Sequence, residues 1–135
     1  MSEKDEILKP VFEKIQNVKE SLKNIKRFKQ MGIEGWFKIV VISALNDIMK
    51  SINNNGADIT LRDDRKIELK AATDLNVNYI IKGATYYNSL CLFLGDGNNE
   101  KSIEKIRNCK GIETIGVEIF EVDNEKWVVG LIKPK

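Results

Sequence analysis

The chain has no histidine anywhere in its 135 residues. That absence excludes every metal site built on imidazole and every mechanism in which imidazole is the base, so any catalysis must rest on carboxylates and lysine. Cysteine is almost as scarce. Cys91 lies in an apolar run and Cys109 near the end of a helical pattern, and two distant cysteines without a CxxC spacing suggest neither zinc nor a redox motif. Both are expected to be buried, reduced thiols. Long hydrophobic runs are also missing: no apolar stretch approaches the ~18 residues that cross a bilayer, and the start MSEKDE is charged. The expectation is a cytoplasmic protein with no membrane partner.

A strong charge of one sign is lacking as well. Lys and Arg number 22 against 20 Asp and Glu, so attraction to a polyanion would have to come from the arrangement of charges rather than their sum. What is present is the material of one compact domain: 42% hydrophobic and 31% charged residues in a length that suits a single core.

From Pro10 to about Gln30 the apolar residues Val11, Ile15, Val18, Leu22 and Ile25 recur in alternating four- and three-residue steps, which predicts a helix with a narrow apolar seam. The seam either packs on its own domain or pairs with a second copy as a homodimer. Its polar side ends in Lys23, Lys26, Arg27 and Lys29, a solvated face that could also touch phosphates. Gly32 breaks the pattern. A second helix is expected from near Glu34 to Ile52, with Phe37, Val40, Val41, Ala44, Leu45, Ile48 and Ile52 on a wide apolar face, before a turn at Asn53 to Gly56. Two strands, Ala57 to Leu61 and Arg65 to Ala71, should then form a hairpin across Arg62, Asp63 and Asp64. Asp74 to Asn88 is open between helix and strand, leaning to helix. Ser89 to Leu94 reads as a central strand buried on both faces, followed by a helix from about Glu100 to Cys109. A last hairpin joins Thr114 to Val122 with Lys126 to Ile132 across Asp123, Asn124 and Glu125, with Trp127 available to the core. The fold class is mixed α/β or α+β, a sheet flanked by helices. Residues 1–30 form an appended amphipathic helix and residues 31–135 a single domain.

Chemistry concentrates in the first hairpin. The period of two puts Glu68 and Lys70 on one face of their strand, and Asp58 with Thr60 on one face of the preceding strand. A three-residue turn sets Leu61 against Arg65 and therefore Asp58 against Glu68. Two carboxylates directly opposed, with Cβ atoms ~5 Å apart, repel unless a cation lies between them. Oxygen ligands in a half-open site select magnesium or manganese, which can polarise a phosphodiester and acidify a bound water. Lys70 could orient that water or stabilise developing charge. An acid two residues before a lysine is itself weak evidence, since Asp64-Arg65-Lys66 repeats it. The context of an apolar strand, a preceding Asp-bearing strand and a buried helix gives it weight. Lys82 and Arg62 are candidate phosphate contacts, set against the commoner role of surface charge.

Through the helix, GADITL, KIELKAA, SLCLFL and the following helix, roughly Ile33 to Lys110, the sequence resembles the PD-(D/E)XK, or restriction-endonuclease-like, nuclease superfamily. The resemblance implies a restriction-endonuclease-like core and a metal-dependent DNA endonuclease. Asp58 and Glu68 would bind Mg2+ or Mn2+, Lys70 would assist the attacking water, and Glu34 would complete the metal shell. Ala57 stands where the family name has proline. Length and layout look most like an archaeal-type Holliday junction resolvase or a minimal restriction-type endonuclease. Two other readings compete: an inactive protein of the same fold serving as a nucleic-acid-binding or assembly module, and an unrelated α/β interaction module whose charged hairpin is only surface.

Overall fold

A computed structural model describes residues 2–25 and 29–135. Its centre is a mixed six-stranded sheet in the order β1-β2-β3-β4-β6-β5, formed by β1 (Met49–Ile52), β2 (Ile59–Leu61), β3 (Lys66–Ala71), β4 (Leu90–Asp96), β5 (Ile112–Val122) and β6 (Glu125–Pro134). Only β3 and β4 run parallel, joined through the helix α4 (Val77–Thr85); every other neighbouring pair is antiparallel. Among the described residues no helix is long and apolar enough to cross a membrane.

The continuous apolar run of β4 is explained by its two covered faces. Leu90, Leu92 and Leu94 enter the core beneath α1 (Lys9–Val18), α2 (Leu22–Ile25) and α3 (Lys29–Leu45), while Cys91 and Phe93 enter a second core beneath α4 and α5 (Glu100–Arg107). The sheet flanked by helices is thus the fold class that the hydrophobic pattern implied. Residues 74–88, open in the sequence, resolve to α4, whose start is capped by the Asn76 side chain accepting from the Tyr79 amide at 3.1 Å.

The N-terminal segment is helical from Lys4. One π-helical turn, Lys4–Leu8, precedes α1, with the Lys9 amide donating to the Lys4 carbonyl. Pro10 has no N–H to offer the ordinary four-residue ladder, so a wider turn just before it costs little. Val11, Ile15 and Leu22 are fully buried in the cluster that covers the sheet, and Val18 and Ile25 pack against it. The seam is therefore covered by the chain's own core. Lys23 is exposed and pairs with Glu20 at 3.8 Å; Lys26 and Arg27 lie outside the described residues.

Three expected boundaries and one expected burial are corrected. Helix α3 runs through Gly32 rather than starting after it, because burial of Ile33, Trp36, Phe37, Val40 and Val41 outweighs the ~1 kcal/mol that a helical glycine costs. It stops at Leu45, and after a 3-10 turn Met49–Ile52 pair with β2 as an edge strand. The helical reading failed there because Ile48 and Ile52, four residues apart, satisfy a strand period as well, and Ile52 is 60% exposed. The last hairpin closes with two turn residues, Asp123 and Asn124, at φ 51° and 67°, as its tight turn requires; Glu125 already belongs to β6. Cys109 is half-buried rather than buried, whereas Cys91 is enclosed.

Gly130 allows the sheet and the second core to meet. It lies opposite Phe93 across β4 and β6, and a Cβ there would meet the Phe93 ring, Cζ first and Cε1 at 2.7 Å. Gly130→Ala should therefore lower stability by about 1–3 kcal/mol. A urea midpoint equal to that of the parent protein would show that the ring can move aside freely.

Candidate metal and phosphate site

The first hairpin has the register that its three-residue turn implied. Ile59 lies opposite Ile67 and Thr60 opposite Lys66, and the Leu61 amide donates to the Arg65 carbonyl at 2.8 Å. The same register carried one step further sets Asp58 against Glu68. Asp58 is just outside β2, so the outer edge of β3 beyond Ile67 has no strand beside it. The Asp58 carboxylate takes the place of a ladder partner there: its Oδ2 accepts from the Leu69 amide at 2.9 Å. Local structure, rather than side-chain chance, thus directs Asp58 toward Glu68.

Glu68 is the anomaly of this edge. It is only 6% exposed, the one buried charged residue among those described, and its Oε1 is buried with no hydrogen-bond partner. Its Oε2 meets the Lys70 ammonium at 3.3 Å. Burial first, and the neighbouring Asp58 carboxylate second, push the Glu68 carboxyl up to about 7, against the opposing pull of Lys70. Lys70 has its own affinity for the proton raised: burial works against its charge, but Glu68 and then Tyr79 outweigh it. Lys38, from α3, approaches Asp58 Oδ1 at 4.0 Å. The acid pair is bracketed by two ammonium groups.

These groups line a half-open cavity of about 140 Å³, with Glu34 and Phe37 contributed by α3 and Tyr79 by α4. Asp58, Glu68 and Lys70 are brought together as their spacing implied, and Glu34 lines the same cavity. It does so from the second turn of α3, which begins at Lys29 rather than near Glu34. Among the described residues no group of three or more acidic or cysteine side chains is gathered closely enough to hold a metal ion, so the pair Asp58 and Glu68 is the candidate ligand set. The pair fits a hard divalent cation. An unpartnered buried carboxylate oxygen beside a second carboxylate, open to solvent on one side, is the oxygen-rich environment that magnesium or manganese takes.

Comparison of the chain with protein-family models, curated proteins and solved structures finds no match.

Three contributors escaped the sequence reading. The Tyr79 ring lies 4.3 Å from the Lys70 ammonium, close enough for a cation–π contact. Gly83 allows α4 to rest on the stem of Lys70: a Cβ there would meet Lys70 Cγ at 3.1 Å, Lys70 Cε at 3.2 Å and Cys91 Sγ at 2.9 Å. Lys38 is the third. A glycine inside an otherwise apolar helix was the visible signal for close approach, and Lys38 stands four residues after Glu34, on the same side of α3. Nothing local announced Tyr79.

The raised carboxyl has a measurable consequence for stability. A group whose folded-state affinity for the proton exceeds its unfolded one stabilises the fold below its unfolded pKa, 4.5, and loses that contribution as pH rises through about 7. Glu68→Gln should remove this loss. The stability difference between variant and parent should grow by on the order of 2 kcal/mol from pH 5 to pH 8, allowing for screening at the open side. Parallel melting curves across that range would show that Glu68 ionises without penalty.

Proposed function

We propose that this chain is a metal-dependent DNA endonuclease that hydrolyses phosphodiester bonds, with Asp58 and Glu68 as the ligands of Mg2+ or Mn2+. The observation that carries the reading is the buried, unpartnered Glu68 oxygen beside the Asp58 carboxylate. Two acids held this way destabilise the protein by itself and are relieved by a cation, which is a reason for the arrangement that surface charge does not supply. When bound, such an ion would polarise the phosphodiester and make a bound water more acidic. The chain's own groups supply the rest. Lys70, its stem against Gly83 and its head near Tyr79, is positioned to donate to a phosphate oxygen and to balance the charge that builds up there. Lys38, half exposed at the mouth, offers a second cation to the substrate backbone. Glu34 lines the same cavity. The cytoplasm is the proposed compartment.

The PD-(D/E)XK reading is supported by the succession of α3, Asp58 just before β2, Glu68 and Lys70 on β3, the buried strand β4 and the helix α5 after it, which follows the segments that carry the resemblance. The second reading is an inactive protein of this fold acting as a nucleic-acid-binding or assembly module. Incubation of the purified protein with linear, branched and single-stranded DNA in Mg2+, Mn2+ or Ca2+ separates the two. Cleavage in magnesium or manganese but not in calcium supports the nuclease, because the larger ion with its looser geometry positions water poorly. Binding with all three DNA forms left intact would move the conclusion to the binding module.

A further inference from the structure

Aromatic surface on α4 extends outward from the metal site, beginning at Tyr79. Tyr79 and Tyr86 are seven residues apart, two helical turns, and so share one stripe. Tyr86 closes the helix with right-handed backbone angles, φ −59° and ψ −44°, and its amide donates to the Lys82 carbonyl, so the helical spacing holds to that point. Tyr86 is 80% exposed and Tyr79 42% exposed. Tyr87 meets the Tyr86 ring at 84° with centroids 4.8 Å apart, a contact that restrains the ring without burying it.

The stripe is also charged in one sense. Lys82 lies between the two tyrosines and is exposed, and α4 contains no acidic residue. Its inner end is the candidate site itself, since Tyr79 lines that cavity and lies beside Lys70. From there to Tyr86 the helix rises about 10 Å, the length of roughly three stacked nucleotides.

We propose that this stripe binds unpaired DNA beside the cleavage site, with Tyr86 stacking on a base and Lys82 taking the adjacent phosphate. Flat rings separated by a cation suit single strands, whose bases offer free faces; bases inside a duplex are already stacked on their neighbours. The inference rests on the nuclease reading for where the scissile bond lies. It adds the substrate class: DNA with a single-stranded segment next to the bond that is cut.

Fluorescence anisotropy of labelled oligonucleotides, without divalent metal and at one low salt concentration, tests the proposal. The ligands are a single strand, its duplex, and a single strand of the same length made of abasic sites. The parent protein should prefer the base-bearing single strand to both others. Tyr86→Ala should weaken binding of that strand about tenfold or more, while Tyr86→Phe, which retains the ring, should stay within about twofold. The loss in Tyr86→Ala should be much smaller on the abasic strand. Unchanged binding by Tyr86→Ala, an equal loss on the abasic strand, or no binding of single strands at all would overturn the stacking surface. So would a tenfold preference for single-stranded RNA of the same sequence over DNA. A cleavage assay in manganese keeps the two readings apart. If linear, branched and single-stranded DNA all remain intact, the nuclease reading fails; if DNA is cut but Tyr86 proves irrelevant, only the stacking surface fails.

Discussion

Replacing Asp58 or Glu68 by alanine is expected to lower magnesium-dependent hydrolysis of DNA by ~10³-fold or more, a barrier increase of about 4 kcal/mol. Each variant leaves a single carboxylate where two are needed to hold the ion, so the loss should be accompanied by loss of the metal-induced rise in melting temperature. Lys70→Ala should behave differently. Its ammonium acts on charge that develops in the reaction, so metal should still raise the melting temperature while the single-turnover rate falls by ~10²–10³-fold. The fold itself should survive all three changes. Glu68→Ala even removes a buried acid whose ionisation the protein resists, and its stability at pH 8 should not fall below that of the parent. Equal cleavage by parent and Asp58→Ala would exclude the acid pair from the reaction.

The second large effect concerns the N-terminal segment. Ile7, Leu8, Val11, Ile15 and Leu22 are each at most 1% exposed and belong to the same cluster as Leu69, Leu92 and Val129 of the sheet. At about 1.5–3 kcal/mol for each buried side chain, their removal would cost roughly 8–15 kcal/mol, as much as the whole stability of an ordinary domain. A chain lacking residues 1–25 should therefore show no cooperative thermal transition by circular dichroism. Ile15→Ala alone should cost about 2–5 kcal/mol. The ion pairs Glu6–Arg65 at 3.2 Å and Glu3–Lys133 at 2.6 Å tie the same segment to the sheet, but partly exposed pairs of this kind contribute little beside the buried side chains. A truncated chain melting within a few degrees of the parent would make the segment an accessory, as its sequence pattern alone suggested.

What could be read directly from the residues had a local cause. The three-residue turn after Leu61 sets which residues face one another, so the opposition of Asp58 and Glu68 followed from counting. Burial on both faces explains SLCLFL, and the seam from Val11 to Ile25 follows from helical period. The misread segment, Met49–Ile52, is a strand because β2 lies beside it; its own apolar spacing fits a helix equally well.

Fold class, the register of the first hairpin and the gathering of two acids and a lysine on one edge are legible in the residues, because each depends on periodicities of a few positions. Tertiary structure alone decided the environment of those groups. Glu68 is hard to ionise because folding buries it beside Asp58 in a cavity walled by residues of α3 and α4, and no neighbour in sequence reveals that. Lys70 is held by Tyr79 and Gly83 because the crossover between the parallel strands β3 and β4 lays α4 across its stem. Lys38 reaches Asp58 because α3 passes over the open edge of β3. Charge, desolvation and positioning are sums over residues distant in the chain, and only folding brings those residues within range of one another.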